Sequence, residues 1–234
     1  MFTAALKHKN LNLQTNTPAT SIAASPDADG SWSVTTTRGA TRARKVIVAT
    51  NAYTAALLPE YRDKIIPYRV ICSQIVAPDP PLLADSYVIR FSPTDFDYLI
   101  PRPDGSIIVG GARSAYFRYT EDWYGSVDDT KVIERAQDYF EGLDFMGYSA
   151  DGLPRFGRVP GRENMSIMGG FTGHGMPQVF LTAKGISRMV LQDLAFSETG
   201  IPRLFEESES RLTSDENILK ERLIRSQASL RCSY

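Results

Sequence analysis

The sequence is poor in cysteine and histidine, and it has no long apolar run and no basic cluster. Two cysteines, Cys72 and Cys232, occur among 234 residues; they give neither a disulfide framework nor metal-ligand spacing, which predicts a reducing compartment. No apolar run reaches the ~18 residues that a membrane span needs, and the first residues contain no signal-peptide core. The formal net charge is -1, and no five basic residues cluster. The sequence therefore lacks the charge pattern that is typical of proteins that bind nucleic acids or anionic membranes.

The periodicity of the chain predicts several short strands and few helices. With 42% hydrophobic and 23% charged residues, the chain can bury a core as one large domain or two small ones. Turn signals at Asp29-Gly30, at Arg38-Gly39 and around Asp104 separate the extended runs. The predicted strands are residues 31–37, 43–50, 64–78, 86–91, 97–102, 106–112 and 166–170, and the predicted helices are 3–9, 128–140, 176–196 and part of 216–225. This mixed order, which has no internal repeat, predicts an α+β fold with a mixed or antiparallel sheet.

One stretch concentrates glycine beside a histidine, namely GGFTGHGMPQVF at residues 169–180. Its four glycines surround His174, and the stretch runs directly into the predicted helix at 176–196. Glycine loses more entropy on folding than any other residue, so such a cluster marks left-handed conformations or a backbone that a ligand approaches closely. Both a strand-to-helix turn with a buried histidine and a ligand site fit this pattern.

The order of several strings carries a family resemblance. ARKVIVATNAYT, YLIPRPDGSIIVGG, DGLPRFGRVPG and SIMGGFTGHGMPQVFLTAKGISRMV follow one another along the chain. In this order they resemble the flavin-dependent amine and amino-acid oxidoreductases of the D-amino-acid oxidase superfamily, nearest to the glycine-oxidase and sarcosine-oxidase-like branch. Each string alone is a weak signal, whereas their order and spacing together are specific. The resemblance covers nearly the whole chain up to about Leu194.

The resemblance implies a discontinuous flavoprotein fold. Residues 1–60 and 149–200 would belong to the FAD-binding domain, 61–148 to a substrate-binding sheet domain, and 201–234 to a polar tail. Family members begin with a strand, a GxGxxG turn and a helix that bind the cofactor pyrophosphate, and no such unit is found in these residues. The chain therefore resembles an α/β flavoprotein fragment, the C-terminal half or more of such an enzyme. We expect it to bind flavin poorly without an N-terminal FAD-binding portion supplied upstream or on another polypeptide.

The resemblance also implies which residues contact the cofactor. The flavin ring would lie against the glycine-rich turn, where a helix start offers unpaired N–H groups and a positive dipole end. FAD would be held without a covalent bond, because residues 141–160 lack the cysteine that the sarcosine-oxidase-like branch uses. Thr50, Asn51 and Ala52 would lie beside the adenosine and pyrophosphate; the alternative is that they form a plain strand-to-loop turn. Ala19 would contact the adenine; the alternative is that it belongs to an edge strand with no ligand. The ring contacts implied are Gly170, Phe171, Thr172, Gly173, Gly175 and Met176.

Three residues are candidates for substrate contact. By resemblance His174 lies close to flavin and substrate, where an imidazole could orient the substrate or influence the ionisation of its amine; the alternative is that it only braces the turn. The period of two places Tyr98 and Arg102 on one strand face, and a guanidinium fork suits a carboxylate, although Arg102 also fits a solvated hairpin residue. Pro177 stands where sarcosine-oxidase-like enzymes carry a carboxylate-binding lysine. Asp151 and Arg155 are expected to hold their loop.

Two functional hypotheses from different classes follow. The first is an FAD-dependent oxidoreductase acting on the C–N bond of a small amine or amino acid, by hydride transfer to flavin and hydrolysis of the resulting imine. The second is a catalytically inactive fragment that binds at most a small molecule or a partner chain. In either case the resemblance implies an intracellular protein, cytoplasmic or peroxisomal, with no metal site.

Overall fold

The structure, a computed structural model, describes residues 7–8, 10–70, 72–76, 83–91, 96–111 and 144–221. The chain divides into two compact units, residues 1–46 and residues 47–234. Strands β1 to β12 are Ala19–Ile22, Trp32–Thr36, Gly39–Ala43, Val46–Val48, Ile65–Val70, Cys72–Ile75, Tyr87–Arg90, Phe96–Pro101, Ile107–Gly110, Asp144–Ser149, Arg155–Arg158 and Met165–Gly169. Helices α1 to α3 are Thr54–Leu57, Met176–Gln192 and Glu209–Thr213, and 3-10 turns are Asn51–Tyr53, Pro59–Tyr61, Phe196–Glu198 and Arg203–Phe205. These elements confirm the mixed α+β fold.

The first unit contains a three-stranded antiparallel sheet in the order β1-β2-β3. The predicted Asp29-Gly30 turn is confirmed, since the Gly30 amide donates to the Asp27 carbonyl at 2.8 Å and Gly30 has a φ of 78°. Strand β2 confirms the predicted strand at 31–37. The partner strand β3 was not predicted, because its five residues are largely exposed and show no apolar alternation.

The second unit contains a four-stranded antiparallel sheet in the order β6-β9-β8-β7. The predicted hairpin between β8 and β9 is confirmed: the Arg102 amide donates to the Ser106 carbonyl at 2.8 Å, and Gly105 closes the turn onto Arg102. The single predicted strand at 64–78 is wrong. It forms β5, which pairs with β10, and β6, which pairs with β9 in another sheet. No glycine, proline or other turn signal separates β5 from β6 in the sequence, so nothing there marks where the pairing partner changes.

A three-stranded sheet in the order β11-β12-β4 supports the long helix α2. This sheet joins residues near position 47 to residues 155–169. Phe156 on β11 packs with Ile186 and Met189 of α2 and with Phe196, its ring 5.4 Å from the Phe196 ring. The predicted helix at 176–196 ends early, at Gln192, because Asp193 adopts a left-handed conformation with a φ of 54°. The chain then turns so that Phe196 enters this core.

Other sequence predictions lie outside the described residues. These are the helix at 128–140, most of the helix at 3–9, and the end of the helix expected within 216–225, of which residues 218–221 are helical. Among the helices that are described, even the longest lacks the length and apolar content needed to cross a bilayer.

A buried ion pair ties β11 to the segment after residue 206. The Arg155 and Glu207 side chains are 2% and 0% exposed, and Arg155 Nη1 lies 2.9 Å from Glu207 Oε1. Arg155 also donates to Ser149 Oγ and to the Arg211 carbonyl, while Arg211 Nε donates to Asp151 Oδ2 at 2.8 Å. The network satisfies both buried charges, as burial of ions requires. These contacts agree with the expectation that Asp151 and Arg155 hold their loop.

The pKa values of the two carboxylates in this network, Glu207 and Asp151, are shifted in opposite directions. Burial raises the pKa of Glu207, and the nearby Arg155 charge only partly opposes it. Burial also disfavours the ionised form of Asp151, but the Ser149 hydrogen bond and the Arg211 charge outweigh it, so the pKa of Asp151 is lowered. Glu207 therefore depends on Arg155 to remain charged inside the protein.

We predict that Arg155→Met lowers the free energy of unfolding at neutral pH by about 3–5 kcal/mol, because it leaves the Glu207 charge buried and unpaired. The loss should shrink as the pH falls. Since the folded-state pKa of Glu207 lies above the unfolded value, the folded variant takes up the proton first, and stability rises through that window. Urea unfolding at several pH values measures both effects.

Arg158→Met serves as the matched control, because its 2.7 Å pair with Asp193 is exposed and should be worth about 1 kcal/mol or less. Arg155→Met/Glu207→Met should recover most of the stability that the single change loses. Equal urea midpoints for the Arg155 and Arg158 variants would contradict the central role of the buried pair.

Candidate functional site

The glycine turn, defined as residues 169–175, joins the end of β12 to the start of α2. Asn51 holds it from the side, since its Oδ1 accepts a 2.9 Å hydrogen bond from the Gly170 amide. Asn51 itself follows β4 and has a φ of 46°, a left-handed conformation that asparagine tolerates better than most residues. A short polar side chain thus fixes the turn relative to a strand far away in sequence.

Strand β10 approaches this junction so closely that it needs a glycine. A Cβ on Gly147 would lie 2.4 Å from Asn51 Oδ1 and 2.8 Å from the Ala52 nitrogen, well inside contact distance. The Gly147 carbonyl also accepts the Thr172 amide at 3.0 Å. Gly147 therefore lies against Asn51 and also holds the glycine turn through its hydrogen bond with Thr172.

Three residues of the glycine turn have positive φ angles: 68° at Gly170, 54° at Thr172 and 77° at Gly173. A Cβ on Gly170 would lie 3.2 Å from Ser149 Cβ, and one on Gly173 would lie 3.0 Å from the Tyr148 hydroxyl. A Cβ on Gly175 would approach Phe171 Cβ to 3.1 Å. Backbone geometry and close packing therefore favour glycine at these positions, and their contact with a flavin stays a prediction.

The start of α2 nevertheless carries unpaired hydrogen-bonding groups. The amides of Gly173, Gly175 and Met176 have no acceptor among the described residues, and Pro177 has no amide hydrogen to offer. The side-chain oxygen of Gln178 is buried and has no donor in the same part of the structure. A helix start with free N–H groups favours an electronegative partner. The free amides could therefore bind acceptor atoms of a ligand, and the Gln178 oxygen could bind one donor.

The side chains of Met176 and His174 are exposed at this helix start. Met176 is 87% exposed. His174 is also exposed, and its Nδ1 lies 2.9 Å from the Thr172 carbonyl oxygen. Its own amide donates to the Phe171 carbonyl at 3.0 Å, while Phe171 is buried. The structure therefore presents the imidazole at the surface of the turn rather than in the core.

Tyr98 and Arg102 belong to the β6-β9-β8-β7 sheet and its hairpin. A Cβ on Gly110 would lie 2.2 Å from the Tyr98 hydroxyl and Cζ, so the half-buried Tyr98 ring covers a glycine on the neighbouring strand β9. Arg102 is exposed and lies 3.5 Å from Asp104 in the same hairpin. That contact is the one expected of a solvated hairpin arginine.

The four residues assigned to the adenosine side have different surroundings. Ala19 is exposed on β1, an edge strand of the first unit. Thr50 Oγ1 lies 3.1 Å from Thr54 Oγ1, and Asn51 faces the glycine turn as described above. Ala52 is 3% exposed, which leaves it little surface for a ligand.

Sequence reasoning missed three residues that shape this site: Gly147, Ser149 and Gln178. The Ser149 amide donates to Thr172 Oγ1 at 3.2 Å. No signal identifies β10, because its central residues lack a clear alternation, and a single glutamine in a helix is usually solvated. Only the pairing of β10 with β5 brings Gly147 and Ser149 to the turn.

The sequence matches the family model described as FAD dependent oxidoreductase over residues 1–189. The chain therefore belongs to the FAD dependent oxidoreductase family. A search of curated protein sequences gives no match.

Several solved structures share the fold. Glycine oxidase from Geobacillus kaustophilus superposes with a TM-score of 0.62 at 18% identity, covering 85% of this chain and 53% of the oxidase. Iminodiacetate oxidase from Chelativorans sp. BNC1 gives 0.58 at 17% identity, covering 76% and 50%. Amadoriase I, a fructosyl amine:oxygen oxidoreductase from Aspergillus fumigatus, gives 0.57 at 12% identity, covering 80% and 48%. The chain spans about half the length of these proteins.

We predict that Asn51→Leu, which removes the acceptor with little change in side-chain size, destabilises the fold by about 1–3 kcal/mol, because it leaves the Gly170 amide unpaired and places leucine in a left-handed backbone. Amide hydrogen exchange at Gly170 should accelerate as well. Urea unfolding and exchange measured by NMR provide the two readouts.

Asn51→Asp is the matched control, because it keeps an oxygen acceptor and also tolerates a left-handed backbone. It should retain slow exchange at Gly170. Equally fast exchange in both variants would show that the hydrogen bond is not what holds the turn.

Proposed function

We propose that this chain forms the substrate-binding sheet and the C-terminal part of the cofactor site of an FAD-dependent oxidoreductase acting on the C–N bond of a small amine or amino acid. The observation that carries the proposal is the family match together with the braced glycine turn, whose helix start has free amides and an exposed His174. An amine substrate is further favoured by the related folds, which include a glycine oxidase and an iminodiacetate oxidase.

The free groups at the start of α2 fit the pyrimidine edge of a flavin. That edge carries carbonyl oxygens and one N–H group, which complement unpaired amides and an unpaired carbonyl oxygen. Gly173, Gly175 and Met176 would supply the donors, and Gln178 the acceptor. Gly170, Phe171 and Thr172 would position these groups. The attachment is noncovalent in this proposal.

Bound FAD would supply the hydride acceptor for oxidation of the substrate C–N bond to an imine, which water would hydrolyse. His174 would contact the substrate amine from the turn, and Tyr98 would line the substrate side from the β6-β9-β8-β7 sheet. Arg102 would bind a substrate carboxylate by exchanging its exposed Asp104 contact for a paired one. Thr50, Asn51 and Ala52 would lie along the path of the adenosine and pyrophosphate, with Asn51 acting through the Gly170 amide.

Cofactor retention requires more than these contacts. A helix start contributes at most about 2 kcal/mol toward a partly buried anion, and the GxGxxG unit that binds the pyrophosphate in dinucleotide-binding folds is not found in this sequence. We therefore propose that an N-terminal FAD-binding portion, in cis or in trans, completes the site.

We predict that the purified chain alone is colourless and that adding such an N-terminal portion, taken from a glycine oxidase of the same fold, yields a yellow protein. Amines or amino acids should bleach the flavin absorbance under anaerobic conditions. In that assembly His174→Ala should lower turnover more than flavin content, because the imidazole acts on the substrate.

His8→Ala is the matched control, as it removes the only other histidine, and it should leave turnover unchanged. A chain that is yellow and bleachable by itself would refute the need for an added portion. An assembled yellow protein that no amine or amino acid bleaches would refute the proposed reaction and favour an inactive binding fragment.

A further inference from the structure

The contact between His174 and Thr172 determines where the imidazole carries its proton. Nδ1 lies 2.9 Å from the Thr172 carbonyl oxygen, which can only accept a hydrogen bond. A neutral imidazole has one N–H donor and one unprotonated nitrogen. Since Nδ1 must be the donor here, Nε2 is the unprotonated nitrogen, and it has no partner among the described residues.

Thr172 is held so that its carbonyl reaches this position. Its φ of 54° is rare for a β-branched residue. Three contacts hold the residue: its amide donates to the Gly147 carbonyl at 3.0 Å, its hydroxyl donates to the Gly170 carbonyl at 3.1 Å, and the same hydroxyl accepts the Ser149 amide at 3.2 Å. A glycine would adopt this backbone more easily, but it could not make the two hydroxyl contacts.

We propose that Thr172 is a positioning residue that fixes His174 as the Nδ1–H tautomer and so presents Nε2 to the substrate as an acceptor for an ammonium N–H. The substrate part rests on the proposed function; the tautomer does not. A neutral His174 in this state has no second N–H with which to bind a carboxylate. It therefore selects the nitrogen end of an amine or amino acid.

The same arrangement provides a route for one proton. When an ammonium N–H bond of the substrate breaks, its proton forms the Nε2–H bond of an imidazolium, and the nitrogen keeps the electron pair as a neutral amine. The Nδ1–H bond to Thr172 persists in both states, so the ring need not turn. The amine thereby gains the lone pair that hydride loss from the adjacent carbon requires.

The test is the tautomer of His174 in the full chain without flavin, measured by long-range ¹H–¹⁵N NMR at a pH where imidazole is neutral. The chain contains two histidines, His8 and His174, so His8 serves as the internal reference for an unconstrained ring. We expect the His174 spectrum to show protonated Nδ1 and unprotonated Nε2, with no detectable Nε2–H form. A tautomer mixture equal to that of His8 would overturn the proposal.

Two substitutions test the role of Thr172. Thr172→Val keeps the size but loses both hydroxyl contacts, and the Nε2–H form should appear. Thr172→Ser restores the hydroxyl and should return the Nδ1–H pattern. An unchanged Nδ1–H tautomer in a folded Thr172→Val chain would contradict the role, because the hydroxyl would then be unnecessary. A His174 tautomer mixture equal to that of His8 in the Thr172→Ser chain would also contradict it, because the hydroxyl would then be insufficient.

Activity of the flavin-loaded assembly is a separate readout. If the tautomer is as expected but no amine reduces the flavin, the proposed function fails while the role of Thr172 in fixing the ring stands. If amines reduce the flavin but His174 behaves like His8, the reaction stands and this inference fails.

Discussion

The hydrogen bond from the Gly170 amide to Asn51 Oδ1 is the contact on which the candidate site depends. It spans 119 residues of sequence and connects the end of β4 to the glycine turn. Gly147, which has no side chain to collide with Asn51, accepts the Thr172 amide from the same junction. The positions of Thr172, His174 and the first amides of α2 all follow from this junction. A half-buried polar contact thus sets the geometry of groups that are themselves exposed.

The shape of the turn also separates two roles that glycine plays. Gly170 and Gly173 supply left-handed backbone, whereas Gly147 permits close approach of one strand to a side chain. At the start of α2, the groups left without a partner among the described residues include the Gly173, Gly175 and Met176 amides and the Gln178 side-chain oxygen. A turn held by internal hydrogen bonds, next to unpaired amides at a helix start, is the arrangement expected of a preorganised binding site.

Much of the local structure could be predicted from the sequence, because turn residues and periodicity act over short distances. The β8–β9 hairpin and the start of α2 at Met176 are such cases. The switch of β5 and β6 to different sheets could not be predicted, since no turn signal separates the two segments in the sequence. Strand β3 was not predicted, because its largely exposed residues show no apolar alternation. The glycine turn and His174 were identified as a motif, yet the Asn51 contact that braces them depends on pairing between distant segments.

The pairing of Arg155 with Glu207 has a consequence for how this domain is delimited. The family match ends at residue 189, within α2, whereas Glu207, Arg211 and the buried Leu219 all lie beyond that point. A chain ending where the homology ends would keep the Arg155 guanidinium in the interior and lose its counterion. The segment matched by the family model is therefore shorter than the packed unit, because residues 207–219 supply the Glu207 counterion and the buried Leu219 beyond the end of the match.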